Sequence, residues 1–558
     1  MLGPGMNVAR VPRNGRNFEY MSGEDPCLGA TLVPSVITAS QSHKILANAK
    51  HFVNNNQETN RNEMSSQVDE RTRFEMYYPP FQAAIDAGVG SFMCSYNKIN
   101  HVYSCENPET LVDDLKGAMG FEGFVMSDWG ATHSASLLEG LDQEMADSDF
   151  MNFDNLSGMP IDKIDASVRR ILKPFVDVGA FDLTNEETND NTIYNNVTTP
   201  EHFEAARSVA RESHVLVQND NDALPLTADF WASDVTIAVF GSQANDNVIG
   251  GGGSGRVDPA WKPTPLGAIH ATAAGGEYGA KSSKVHYMSD HTDVATQVAL
   301  ADSADVCLFF FSTSSGEGSD RGNLNLDNDW HASEVANHCT RSVAVVTTPG
   351  AVLMPWSGDV DAIIVNFMPG VASAFATMDI LLGDYNPSGR LPITMPATEN
   401  QEGLTQEQFP GLDGDMNSTY TERYDFGYRW YHSHLAQPRF WFGSGLSYSS
   451  FEIGEAKWSS EGVKVKISNV GGRDGNVVPQ LYLNAPEECD LPIWALKGFD
   501  NVFVEAGKDV EVKFEVGDKD VSVWDVDARA WKVCGGVWGA RVAWSAEEQG
   551  EERLEKTF

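Results

Sequence analysis

Seven short apolar runs, separated by stretches of helical periodicity, constrain this chain more than any other feature. Three fall early, at Ile45–Val53, Val89–Tyr96 and Phe121–Trp129, and four later, at Val235–Phe240, Val306–Phe311, Val343–Thr347 and Ala362–Asn366. Near-continuous apolar runs that alternate with helices mark strands buried on both faces, and hence parallel α/β sheets. Between the two sets lies TNEETNDNTIYNNVTTP at 184–200, polar, aperiodic and closed by Pro200, which reads as a linker. Ile161–Phe181 before it reads as an amphipathic helix, with Ile164, Val168, Ile171, Leu172 and Phe175 on one face and Gly179 near its end. Glu201–Leu216 after it is also helical.

From about residue 449 the texture changes. Val463–Ser468 and Val510–Val516 alternate with period two between turn residues, the pattern of a half-buried antiparallel β-sandwich of about a hundred residues. The expected organisation is a barrel-like α/β domain at 1–185, a linker at 186–200 and an α/β sandwich at 201–397. A connecting region at 398–448, a β-sandwich at 449–546 and a charged, frayed tail at 547–558 complete it. At 558 residues the chain needs several such cores.

Charge narrows the partners. A net charge of −40 and a pI near 4.5 argue against nucleic acid and anionic membrane surfaces, and they suit a neutral substrate. No apolar run approaches the ~20 residues of a membrane-spanning helix. The N-terminal MLGPGMNVAR has no basic region followed by an apolar one, so no signal peptide is visible. Cys94 and Cys105 are close enough in sequence for a local disulfide, and the other five of the seven cysteines show no metal-type spacing. Sequons at Asn155, Asn196 and Asn417 permit glycosylation if the protein is exported.

Three groups of residues point to chemistry. Gly123-Phe-Val-Met-Ser-Asp128-Trp129 delivers a carboxylate and an indole at the C-terminal end of an apolar strand, which in an α/β barrel is the catalytic face; the plainer reading is a helix cap. Lys50-His51 closes the Ile45–Val53 run, with Arg61 further on, either as a cationic grip for hydroxyls or as surface charge. Ser315-Gly-Glu317-Gly-Ser-Asp-Arg321 follows Val306–Phe311, and glycines on both sides of Glu317 let a loop project its carboxylate. The run Gly250–Gly255 formally matches a nucleotide-binding fingerprint, but Pro259, Pro263 and Pro265 follow at once, so no helix N-terminus meets a phosphate. His432-Ser-His434 has no third ligand nearby in sequence.

Together these segments resemble glycoside hydrolase family 3, in one order along nearly the whole chain. Asn7–Tyr20, Lys50–Val53, Gln57–Arg61, Val68–Arg71, Met93–Asn97, Ser127–Trp129, Gly250–Arg256, Pro349–Trp356, Asn386–Pro392, Phe442–Tyr448 and Leu496–Phe499 carry the resemblance. It implies a (β/α)8-type barrel, an α/β sandwich and a C-terminal fibronectin type III-like domain, with the active site in the cleft between the first two. Asp128 matches the family's nucleophile and Glu317 its acid/base. Arg16, Lys50, His51, Arg61, Met93, Tyr96, Trp129 and Ser254 match positions lining the sugar subsite. The implied activity is a retaining β-glucosidase that acts on small β-glucosides or oligosaccharides and needs no metal or organic cofactor. Asp128 is then expected to stay ionised beside Lys50, His51 and Arg61, and Glu317 to be held protonated in a drier place.

The chain also departs from the family. It opens inside the pattern, and only about 185 residues precede the linker where a barrel takes roughly 250. The expectation is therefore a barrel incomplete at its N-terminus, with unpaired edges and doubtful turnover, in an intact protein that is extracellular. A β-xylosidase of the same family is the nearest alternative. An N-acetylglucosaminidase fits less well, because Lys50-His-Phe-Val-Asn-Asn stands where those relatives carry Lys-His-Phe-Pro-Gly-His. A degenerate, non-catalytic sugar-binding relative is the alternative of another class.

Overall fold

The computed structural model describes residues 1–183, 195–274, 284–411, 414, 416–459, 461–547 and 554–558. Most of the expected linker lies outside them.

In the first domain, Asn48–Phe52, Ser91–Cys94 and Phe124–Ser127 form a parallel sheet in that order. The segments around Gly5 and Gln143 extend it in parallel at either side, through Gly5–Lys50 and Met126–Gln143 bridges. On the outer side Gly5 bridges Tyr20 in turn. All three strands are fully buried, as their apolar runs predict. One face packs through Phe52, Phe92 and Val125 against Val33 and Ile37 of helix Pro26–Ser42 and Phe81 of helix Pro79–Asp86. Met93, Phe124 and Met126 form a smaller cluster with Ile171 and Phe175 of helix Ile161–Asp177. That helix is less covered than its periodicity predicts: Val168 and Leu172 are exposed, and Ser167 and Pro174 are its buried residues. Ser167 turns inward because its hydroxyl donates to the carboxylate of Asp142, which Lys116 and Arg170 also grip.

The second domain is a six-stranded sheet ordered Val215–Asn219, Ala362–Asn366, Ser342–Thr347, Val306–Ser312, Thr236–Phe240 and Lys284–Met288. All neighbours run parallel except the first, which is antiparallel to Ala362–Asn366. The four predicted strands form its centre. The helix expected over Glu201–Leu216 runs instead from Pro200 to Ser213, because Val215 and Leu216 enter the sheet as a buried edge strand. Cys307 and Cys339 are disulfide-bonded beneath it.

The third domain is the expected antiparallel sandwich. Gly462–Asn469 pairs with Asp509–Glu515, and Gln480–Asn484 lies between Ala495–Phe499 and Val537–Ala543. The tail is not frayed at its end: Leu554–Thr557 adds a strand beside Val537–Ala543, satisfying backbone groups that a free tail would leave to water. A hairpin of this domain, Ser522–Asp525 with Ala530–Val533, docks on the first domain. There Trp524 stacks on Phe74 with ring centroids 3.5 Å apart and donates its indole N–H to Glu70, while Arg529 reaches Asp114. Replacing Trp524 by alanine removes a buried indole from this seam, and we expect a loss of about 3–5 kcal/mol in urea unfolding. An unchanged unfolding midpoint would show that the hairpin does not brace the first domain.

Candidate active site

Three parallel strands in register bring their C-terminal ends to one place. Lys50 lies beside Met93, which lies beside Met126, so His51, Tyr96 and Asp128 all emerge at the same rim. Asp128 leaves the sheet while its own N–H still donates to the carbonyl of Cys94. Its Oδ1 accepts from the Trp129 N–H at 2.8 Å, and its Oδ2 lies 3.3 Å from Nε2 of His51. His51 is clamped by Asn7, whose amide group bonds both its N–H and its carbonyl, and its Nδ1 is 3.2 Å from the Tyr20 hydroxyl. Burial, with Arg16, Lys50 and Arg61 around it, holds the imidazole well below its ordinary 6.5. The contact with Asp128 is therefore one between a neutral ring and a carboxyl group, not an ion pair.

Glu317 arrives from the second domain. Its Oε1 accepts from Arg61 at 2.9 Å and lies 3.5 Å from Arg16, and its Oε2 accepts from the Ser254 N–H at 2.8 Å. The glycine run explains how the loop fits. Gly252 bridges Gly316 backbone to backbone, and a Cβ on Gly253, whose φ is +89°, would stand 2.3 Å from the Cβ of Glu317. Here the run at 250–255 cradles a carboxylate-bearing loop. Arg16 is fully buried and also donates to the Ser254 hydroxyl, so one cation ties the carboxylate to its cradle.

The electrostatics reverse the expected division of labour in the free protein. Burial pushes Glu317 up, but Arg16, the Ser254 N–H and hydroxyl and Arg61 outweigh it and leave the group at about 2. Asp128 moves the other way, raised above its ordinary 3.8 chiefly by burial, with Trp129, Arg16 and Tyr96 opposing. The physical reason is placement. Arg61 was expected beside Asp128; it stands on Glu317 and on Glu58 at 2.7 Å, over the ring of Tyr96.

The remaining predicted residues gather around these two carboxyls. Tyr96 donates its hydroxyl to the Trp129 carbonyl at 3.1 Å, and Trp129 is exposed. Lys50 is lowered by burial and lies in the field of Glu19, Asp128 and Glu317. Met93 is buried under the rim. Cys94 and Cys105 form the expected disulfide just behind it. His432 donates toward the Ala546 carbonyl and His434 stacks on Trp430, so the two rings go separate ways. Sequence reasoning missed Tyr20, Asn7, Glu58 and Asp320 as individual residues; the signal for the first three lay inside segments already singled out for family resemblance.

Comparison with known proteins gives a consistent picture. Residues 1–148 match the Glycosyl hydrolase family 3 N terminal domain, 214–448 the Glycosyl hydrolase family 3 C-terminal domain, and 477–546 the Fibronectin type III-like domain. A probable beta-glucosidase L of Emericella nidulans is 33% identical, over 97% of this chain and 81% of the relative. A probable beta-glucosidase G of the same organism is 32% identical over 97% of this chain and 78% of the relative. Among solved structures, DesR, a beta-glucosidase from Streptomyces venezuelae in complex with D-glucose, superposes with a TM-score of 0.89 at 28% identity, covering 100% of this chain and 87% of that one. The beta-D-glucoside glucohydrolase from Trichoderma reesei gives 0.88 at 28% identity, with 100% and 85% covered.

Proposed function

This chain belongs to glycosyl hydrolase family 3 and is a glycoside hydrolase, and we propose that it is a retaining β-glucosidase removing terminal non-reducing β-D-glucosyl residues. The observation that carries the proposal is that two carboxyls from different domains, Asp128 and Glu317, lie in each other's field with Arg16 and Arg61 on Glu317, Lys50 in the field of both and Trp129 exposed beside Asp128. In this reading Asp128 attacks the anomeric carbon while Glu317 gives its proton to the glycosidic oxygen, and the aglycone leaves. Glu317 then takes a proton from water as that water attacks the same carbon, releasing β-glucose and restoring Asp128. Arg16, Lys50 and Arg61 hold sugar hydroxyls, and Trp129 offers its face to the C–H side of the pyranose. Arg16 and Arg61 keep Glu317 ionised in the free protein. A bound sugar that excludes water and draws these cations to its hydroxyls lifts that restraint and readies Glu317 to hold a proton.

The catalytic unit in this proposal is the domain at 1–185 with the α/β sandwich at 201–397, braced by the fibronectin-like domain at 449–546. Export is supported by three disulfides, Cys94–Cys105, Cys307–Cys339 and Cys489–Cys534, which persist in oxidising compartments. Among the described residues no helix is long and apolar enough to cross a membrane. The test is hydrolysis of p-nitrophenyl β-D-glucoside beside the β-xyloside, followed by proton NMR. We expect the glucoside to be preferred and the first product anomer to be β. Preference for the xyloside would move the specificity to a pentose, and α-glucose appearing first would exclude double displacement.

A further inference from the structure

The loop that carries Glu317 is fastened to the other domain at nearly every residue around it. Asp320 extends its carboxylate across the interface and accepts three first-domain backbone N–H groups: those of Gly15 at 3.1 Å, Glu58 at 2.9 Å and Thr59 at 2.8 Å. Glu58 returns the contact from the first domain. Its Oε2 accepts from the Gly318 N–H at 2.8 Å and from Arg61 at 2.7 Å, and Arg61 in turn holds Glu317. The Ser315 hydroxyl donates to the Gly15 carbonyl at 2.7 Å, and the Arg321 N–H donates to the Arg13 carbonyl at 2.9 Å. The fit at Gly15 leaves no space. A Cβ there would stand 2.0 Å from the Ser319 carbonyl oxygen and 2.5 Å from that of Gly316.

We propose that Asp320 and Glu58 are positioning residues that latch the Glu317 loop of the second domain to the first, Asp320 by accepting first-domain backbone N–H groups and Glu58 by accepting the Gly318 N–H of the loop, so that Glu317 meets the leaving-group oxygen. This rests on the reading of Glu317 as the acid/base. The direct partners of Glu317 are Arg16, Arg61 and Ser254, the residues that the family resemblance assigns to the sugar subsite. Asp320 accepts backbone N–H groups instead, through charge-assisted hydrogen bonds, and Glu58 joins the backbone N–H of Gly318 to Arg61. Glu58 is buried and holds Nη1 of Arg61, the same nitrogen that donates to Glu317, so it sets where that nitrogen meets the Glu317 carboxylate. A misplacement of about 1 Å in a proton donor costs on the order of 10²-fold in rate, and only where proton donation limits the rate.

The experiment uses the full chain and a series of aryl β-D-glucosides running from 2,4-dinitrophenyl, which leaves without a proton, to phenyl, which does not. For Asp320→Asn we expect kcat/KM to fall about 10²-fold on the phenyl glucoside and less than about 3-fold on the dinitrophenyl glucoside. Gly15→Ala displaces the same loop by a steric route, against the Ser319 and Gly316 carbonyls, while leaving both carboxyl side chains present, and the same slope is expected. Glu58→Gln supplies a milder third variant should either of these fail to fold by circular dichroism. A uniform loss across the series in the folded variants, or no loss, overturns the proposal. Glu317→Gln run in parallel separates the two readings. A steep slope there with a flat one in Asp320→Asn rejects the latch and leaves the acid/base standing. A flat slope in Glu317→Gln rejects the acid/base reading and the latch with it.

Discussion

Asp128→Ala is expected to lower kcat for p-nitrophenyl β-D-glucoside by on the order of 10⁵–10⁶-fold, the scale seen when a covalent hydrolase loses its nucleophile. Among the described residues, neither Glu317 nor Glu58 is placed to substitute. Glu317 is tethered to Arg61 and Ser254, and Glu58 is turned to the Gly318 amide. The remaining variant keeps the cations and Trp129, so sugar binding should weaken far less than turnover. Small anions give a sharper check than the loss itself. Azide entering the space left by the Asp128 carboxylate attacks a β-glucoside from the α face and yields α-glucosyl azide. Azide added to Glu317→Ala meets a glycosyl-enzyme already formed on Asp128 and yields the β anomer. Turnover retained in Asp128→Ala, or the β azide from it, would assign the nucleophile elsewhere.

The parts of this site that were legible in sequence are those set by local pattern. The burial of Phe124–Ser127 follows from its run of apolar residues, and a polar residue at the end of such a strand has to come out at the rim, which placed Asp128. The Glu317 loop was legible for the same reason, because it follows the fully buried strand Val306–Ser312. Pairings across long separations were not legible. Nothing in residues 65–67 announces that they align in parallel with 417–419, or that Tyr420 donates to Asn54, since both depend on how the connecting region folds back over the first domain. The Cys307–Cys339 and Cys489–Cys534 disulfides are of this kind, at separations of 32 and 45 residues, whereas Cys94–Cys105, at 11, is nearly local. Asp320 reads in sequence as one more polar residue of a glycine-rich loop, and only the second chain segment at 15 and 58–59 shows what it accepts. The ionisation of the two carboxyls failed for a related reason. It depends on how Arg16, Ser254 and Arg61 are shared between them, and helix or strand periodicity carries no information about that.

The second large effect concerns Glu317→Gln, whose kcat/KM on phenyl β-D-glucoside should fall on the order of 10³-fold with little change in kcat/KM on the 2,4-dinitrophenyl substrate, because kcat/KM ends at glycosylation and leaves out the water step in which Glu317 is the base. Its pH profile then tests the inverted ionisation. Attack requires Asp128 ionised and Glu317 protonated. In the free protein Glu317 lies at about 2 and Asp128 above 3.8, so between those values the dominant form has the proton on the wrong carboxyl. The reactive form is its minority tautomer, and the wild-type kcat/KM is a bell. Its acid limb falls as Glu317 takes up a second proton near 2, and its alkaline limb falls as Asp128 loses the only one. With glutamine at 317 and a leaving group that needs no acid, the rate depends on ionised Asp128 alone. It should rise with pH and then stay level. That rise should lie where the wild-type alkaline limb descends, moved somewhat lower because the negative charge of Glu317 helps to raise Asp128. With the ordinary assignment, in which Glu317 holds its proton to higher pH than Asp128, the variant's rise would coincide with the wild-type acid limb instead. The position of that single limb therefore decides whether Arg16, Ser254 and Arg61 hold Glu317 ionised in the free protein.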